Sequence, residues 1–197
     1  MEYNVNEIVN HINSTGICVL EDYFTEEECN IGIKELEHCL TKYKDKVQVL
    51  VSEGCGGDKR LFSIERQSKI AKKFSEDKII QQVCSEYLGE PGRCHQVLGG
   101  KLTATDGEVI NSGGGWHRDS VTKQFKALLY LSDVDKTNGP YMFVPDSVRI
   151  QPEMRHDTRG TRFTDAGVKE LCKKRDLDPF IVTAKAGTII LTATNNI

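Results

Sequence analysis

After Pro91 the sequence breaks into short runs of strand formers separated by turn residues, and this spacing limits the fold more than any other feature. The runs are Gln96-Val97-Leu98, Lys101-Leu102-Thr103-Ala104, Phe125 to Leu131, Tyr141 to Val144, Ile181-Val182 and Thr188 to Leu191. β-Branched and aromatic side chains suit a pleated, half-buried surface, whereas Gly, Asn and Asp between them favour turns. Short strands repeated in this way indicate an all-β sandwich or barrel. One helical pattern, at about 164–174, lies inside a polar insertion from Asp146 to Pro179. The run Thr188-Ile189-Ile190-Leu191 is apolar or β-branched throughout, so it is expected to be a central strand with its pairing partners beyond it in the chain.

The N-terminal third reads differently. Gly16-Ile17-Cys18-Val19-Leu20 is a strand-like run, and Thr25-Glu26-Glu27-Glu28 is a capping box that opens a helix. Its acidic first turn suits the positive end of the helix dipole. Ile33, Leu36, Cys39 and Leu40 keep a helical spacing and place this helix at about 25–44. A second helix fits about 76–88, with Ile79, Ile80, Val83 and Leu88 apolar and Gly89-Glu90-Pro91-Gly92 ending it. Gly54-Cys55-Gly56-Gly57-Asp58 reads as a flexible loop. The expected organisation is one domain over 1–197, with a helical part at 1–90 packed on a β core at 91–197.

Composition narrows the function classes. Lys plus Arg total 26 against 29 Asp plus Glu in 197 residues, a formal charge of −3, which argues against a nucleic-acid binder working through a broad basic surface. No apolar run approaches the roughly 18 residues of a membrane helix. Met1-Glu2-Tyr3-Asn4-Val5 has neither the basic start nor the apolar stretch of a signal peptide. The 7 cysteines are odd in number and none forms a C-x-x-C pair, so neither a zinc ribbon nor a thioredoxin-type site is supported. Reduced thiols in a cytoplasmic protein are the expectation.

Chemistry concentrates in Asn111-Ser112-Gly113-Gly114-Gly115-Trp116-His117-Arg118-Asp119-Ser120. On an extended segment, His117 and Asp119 point to one face. An imidazole nitrogen and a carboxylate oxygen side by side form two legs of a 2-His-1-carboxylate triad, which holds Fe(II) with open positions. The preceding glycines permit tight or left-handed turns. H-x-D alone is a weak signal, and a His and Asp merely hydrogen-bonded on a strand would show it equally.

The segments C-terminal to this site come in a more specific order: Phe125 to Val134, then Thr137-Asn138-Gly139-Pro140, then Phe143-Val144-Pro145-Asp146-Ser147, and later Ala186-Gly187-Thr188-Ile189-Ile190-Leu191. This closely resembles the phytanoyl-CoA dioxygenase family of Fe(II)/2-oxoglutarate oxygenases. That family shows W-H-x-D, an apolar strand ending in Asp or Glu, N-G-x, V-P-G-S-H, and a G-[DT]-x-x-[LIF] strand before a second His. The segment Gly16 to Glu28 is similar to the family's opening as well. The resemblance implies a double-stranded β-helix, the cupin-like jelly roll, with flanking helices. It implies His117 and Asp119 as metal ligands, Fe(II) and 2-oxoglutarate as cofactors, O₂ as co-reactant, and hydroxylation of a small organic substrate. It also puts Lys101 and Thr103 near 2-oxoglutarate, on the strand before the site.

Two departures from the pattern stand out. Asp146 and Val148 replace the Gly and His of V-P-G-S-H, expected to be a loop difference that leaves the metal ligands untouched. The distal metal His, and the arginine one strand later, would fall just after Ile197 and are absent. None of His11, His38, His95 and His156 has the family position. The expectation is an incomplete chain, nearly inactive by itself. The alternatives are a catalytically degenerate jelly-roll binding protein and a cupin-like protein with another metal. Trp116 could line the pocket or simply pack. Arg149, Arg155, Arg159 and Arg162 make the insertion basic, either facing an anionic substrate or as a solvated loop.

Overall fold

Helices begin where the sequence supplies a cap. In the computed structural model, which describes residues 3–46, 48–50, 58–103, 115–148, 152 and 162–197, five α-helices are present: α1 (Val5–Thr15), α2 (Glu26–Lys42), α3 (Lys69–Ser75), α4 (Lys78–Leu88) and α5 (Asp165–Arg175). Asn4, Thr25, Ser68, Asp77 and Thr164 each accept a backbone N–H of the first turn through the side chain. At α2 the capping box is complete: Glu28 N donates to Thr25 Oγ1, and Thr25 N donates to Glu28 Oε2. Gly16 and Gly89 end α1 and α4 in the left-handed region.

The strands are β1 (Ile17–Leu20), β2 (Gln48–Leu50), β3 (Asp58–Phe62), β4 (Leu98–Leu102), β5 (Phe125–Leu129), β6 (Tyr141–Phe143), β7 (Phe180–Val182) and β8 (Ile189–Ala193). All pairings are antiparallel, in sheets ordered β1-β8-β5, β2-β3-β4 and β6-β7. Alternation along β8 divides the core. Ile190 faces Ile17, Phe143 and Val182, with Leu128 and Tyr130 against them, which seats the β6-β7 ribbon on the main sheet. Ile189, Leu191 and Ala193 face the other way, onto Ile8 and Ile12 of α1 and Ile80 and Val83 of α4. Leu36 and Cys39 of α2 cover Leu61 and Ile64. The outcome is an antiparallel jelly-roll sandwich, not closed into a barrel, with α1 and α4 on one face of the main sheet.

The structure corrects several expectations. β8 is central and wholly buried, but its partners precede it: Ile17 to Leu20 on one side and Phe125 to Leu129 on the other. Both edges of β8 are therefore paired, and this strand leaves no bare hydrophobic edge waiting for later residues. Leu98 to Leu102 forms one strand where the sequence suggests two runs. Helices α1 and α3 add to the two that the N-terminal spacing predicts. β1 belongs to the core sheet, and β3 pairs with β4 across residue 90, so strands before residue 90 take part in the β architecture. The loop at 54–57 lies outside the described residues.

The α2 cap carries a pH dependence. The Lys73 ammonium, then the Thr25 N–H, hold the Glu28 carboxyl below its usual range against the opposing effect of burial. A carboxyl with a lowered folded pKa stabilises the fold fully above its unfolded value of about 4.3 and loses that contribution as pH falls through the folded value. Urea midpoints are expected to drop between about pH 5 and the lowered pKa. Glu28→Gln should flatten that slope and cost about 1 kcal/mol at neutral pH.

Candidate metal centre

The segment Gly115 to Asp119 is held from both sides. Phe163 N donates to Trp116 O at 2.9 Å, His117 bridges to Arg162, and Asp119 N donates to Thr194 O at 3.2 Å just past β8. So fixed after the left-handed turn at Gly115 (φ +72°), the side chains of His117, Arg118 and Asp119 alternate as their spacing requires. Arg118 points into the protein, only 7% exposed, where its guanidinium donates to Ser147 O and lies 5.6 Å over the Phe163 ring. His117 and Asp119 point together to the opposite face.

Their side chains are about a quarter exposed, and His117 Nε2 lies 3.8 Å from Asp119 Oδ1. That exceeds a hydrogen bond. It is within the span of two metal–ligand bonds of roughly 2.0–2.2 Å each, so one ion can touch both atoms. His117 Nδ1 is 3.0 Å from Gly115 O. A carbonyl only accepts, so Nδ1 carries the proton there, and Nε2 is the nitrogen turned toward Asp119 and available to a metal. This donor set, an imidazole beside a carboxylate with a partial opening to solvent, fits Fe(II). Among the described residues, no group of three His, Cys, Asp or Glu side chains is placed to hold a metal.

The other carboxylate oxygen of Asp119 accepts from Lys126 Nζ at 2.7 Å. Lys126 lies on β5 opposite Thr192 of β8, and the Thr192 hydroxyl is 3.1 Å from that of Tyr141 on β6. Burial pushes the Tyr141 phenol up against the opposing Thr192 hydrogen bond, with a smaller upward push from the Asp119 charge. An ammonium from β5 and two hydroxyls from β8 and β6 thus lie close to the ligand pair, the Thr192 hydroxyl fully buried.

Lys101, expected near 2-oxoglutarate, instead pairs with Glu37 of α2 at 2.7 Å, and Thr103 is exposed just beyond β4. Neither touches His117 or Asp119. Trp116 packs against the cluster of Val144, Phe163 and Val168. His11, His38 and His95 are exposed on elements away from the ligand pair. Asn111 to Gly114, Arg149, Arg155, His156 and Arg159 lie outside the described residues.

Residues 12–194 match the sequence profile of the phytanoyl-CoA dioxygenase (PhyH) family. The chain belongs to that family. Membership makes it an oxygenase-type enzyme whose cofactors are Fe(II) and 2-oxoglutarate. No curated protein matches the sequence significantly. Among solved structures, it is similar to the epimerase SnoN in complex with Fe³⁺, alpha ketoglutarate and nogalamycin RO. The two are 14% identical with a TM-score of 0.67, over 98% of this chain and 75% of that one. HygX from Streptomyces hygroscopicus, with nickel, 2-oxoglutarate and hygromycin B bound, is 18% identical over 96% and 78% of the chains, TM-score 0.60. EctD from S. alaskensis with bound Fe is 20% identical over 98% and 69%, TM-score 0.63. At these identities the likeness is one of fold.

The departure at Asp146 has a structural consequence. Asp146 takes φ +55°, the left-handed conformation suited to the Gly of the family pattern V-P-G-S-H. The next residue, Ser147, is buried and receives Arg118, so this loop supports the segment between His117 and Asp119 without contacting either side chain. Asp146→Gly is expected to relieve the backbone and raise stability by about 0.5–1 kcal/mol, read as a higher urea midpoint with an unchanged m-value.

Proposed function

We propose that the protein is an Fe(II)/2-oxoglutarate-dependent dioxygenase that hydroxylates a small organic substrate, with His117 and Asp119 as ligands to the iron. The observation that carries this reading is the pairing of His117 Nε2 and Asp119 Oδ1 across 3.8 Å, with Nδ1 fixed on Gly115 O. Fe(II) held there with 2-oxoglutarate would supply the electrons that activate O₂. The chain's own residues do the positioning. Gly115 O sets the imidazole tautomer, the Phe163 and Thr194 contacts fix the strand, and Arg118 anchors it from behind. Tyr141 offers a hydroxyl for orienting a bound molecule, held in place by the buried hydroxyl of Thr192. Lys101 and Thr103 belong to the proposal only as residues that would approach 2-oxoglutarate from β4, and the Glu37 pairing of Lys101 weighs against that role.

A second reading, a jelly-roll protein that binds ligand without turnover, is favoured by one observation: Lys126 already engages Asp119. Metal analysis after anaerobic Fe(II) loading, combined with 2-oxoglutarate calorimetry, separates the possibilities. The oxygenase reading expects one Fe(II) per chain, 2-oxoglutarate binding that requires it, and oxygen consumption when both are present. Binding of both without oxygen uptake supports the second reading. Absence of Fe(II) binding contradicts the metal centre.

A further inference from the structure

Charged residues are rare on the inner face of a sandwich strand unless paired. On β5, Leu128 packs into the space between the sheets, and Lys126, two residues earlier, shares its face. Its register partner, Thr192, is fully buried. Lys126 itself is half-exposed, and the carboxylate it meets among the described residues is that of Asp119. A cation bound between His117 and Asp119 would draw on the same carboxylate and place a double positive charge beside the ammonium. The two cations can share Asp119 only at a cost, and an anion between them removes that cost.

We propose that Lys126 is the carboxylate-binding residue beside the His117–Asp119 pair. In the metal-loaded protein it turns from Asp119 to a carboxylate of the bound small molecule, so that metal and carboxylate bind cooperatively. This rests on the reading of His117 and Asp119 as metal ligands. The carboxylate could be the far one of 2-oxoglutarate or one carried by the substrate. Because coupling between sites is reciprocal, it can be read from the metal side.

The experiment measures Mn(II) affinity by electron paramagnetic resonance, with and without glutarate, a dicarboxylate lacking the keto group needed for chelation. In the unaltered protein, saturating glutarate should tighten Mn(II) binding about tenfold. Lys126→Met should bind Mn(II) about tenfold more tightly without any anion and gain nothing from glutarate. Lys126→Arg, which keeps the charge, should keep the coupling. A further titration with 2-oxoglutarate distinguishes the source. An affinity loss of about tenfold or more in Mn(II)-loaded Lys126→Met assigns the carboxylate to 2-oxoglutarate, and an unchanged affinity alongside lost glutarate coupling assigns it to the substrate. Equal Mn(II) affinity in the unaltered and Lys126→Met proteins, with no glutarate effect in either, overturns the role of Lys126 and leaves the metal centre standing. Failure of the unaltered protein to bind Mn(II), or undiminished binding by Asp119→Asn, overturns the metal centre and this proposal with it.

Discussion

Gly187→Ala is expected to destabilise the protein by about 4 kcal/mol, among the largest effects of any single methyl group in the molecule. Gly187 sits at φ +90°, and a Cβ there would lie 2.0 Å from Phe24 O and 3.1 Å from Phe24 C. Both obstacles are backbone atoms, so no side-chain rotation relieves them. The left-handed conformation adds about 1–3 kcal/mol for a residue with a side chain. Retreat is also costly, because Gly187 O accepts from Tyr23 N and Phe24 N, both at 3.0 Å, while Gly187 N donates to Tyr130 O at 2.8 Å. This junction fastens the turn before α2 to the start of β8, which explains why a glycine opens the last motif of the sequence. Thermal unfolding should move down by roughly 10 °C. Gly89→Ala provides the control. Gly89 also has positive φ, +79°, but no atom lies within 4 Å of its Cβ position, so only the backbone strain of about 1 kcal/mol applies. Equal losses at the two positions would contradict the steric account.

His117→Ala is expected to weaken Fe(II) binding by about 100-fold or more while leaving the thermal midpoint within roughly 2 °C. The side chain is partly exposed and its described hydrogen bond is to the nearby Gly115 O, so the fold depends little on it. Loss of a metal ligand exceeds the roughly 10–100-fold cost of losing a ligand's supporting partner. Calorimetry with Fe(II) under anaerobic conditions and a parallel melt give both numbers. A collapsed midpoint would mean that the imidazole is structural, and an unchanged Fe(II) affinity would mean that the metal lies elsewhere.

Legibility in the sequence follows the range of the interaction. The α2 capping box is written in four consecutive residues, and the structure contains both of its hydrogen bonds. The same holds for the end of α4 at Gly89 and the shared face of His117 and Asp119, which depend only on local period. Helix α1 is harder to read although Ile8, Val9 and Ile12 carry its buried face and Asn4 caps it, because a short helix draws much of its stability from packing on β8 and α4. The centrality of β8 is visible in its composition, but its partners are not. Pairing with β1 joins residues about 170 positions apart, and nothing local encodes that closure. Arg118 and Lys126 are hidden for a related reason. The one is the unspecified residue of H-x-D, and the other acquires its meaning only when β5 registers against β8 and brings its ammonium to Asp119. The expected roles of Lys101 and Thr103 come from resemblance alone, and the contact between Lys101 and Glu37 shows how a strand can be present while its surroundings differ.

The most direct test of the account is succinate formed from 2-oxoglutarate by the protein, assayed with and without Fe(II) and compared with its His117→Ala form. The expected result is release that requires Fe(II) and falls to background in the variant. Release independent of Fe(II), or equal in the two proteins, would contradict it.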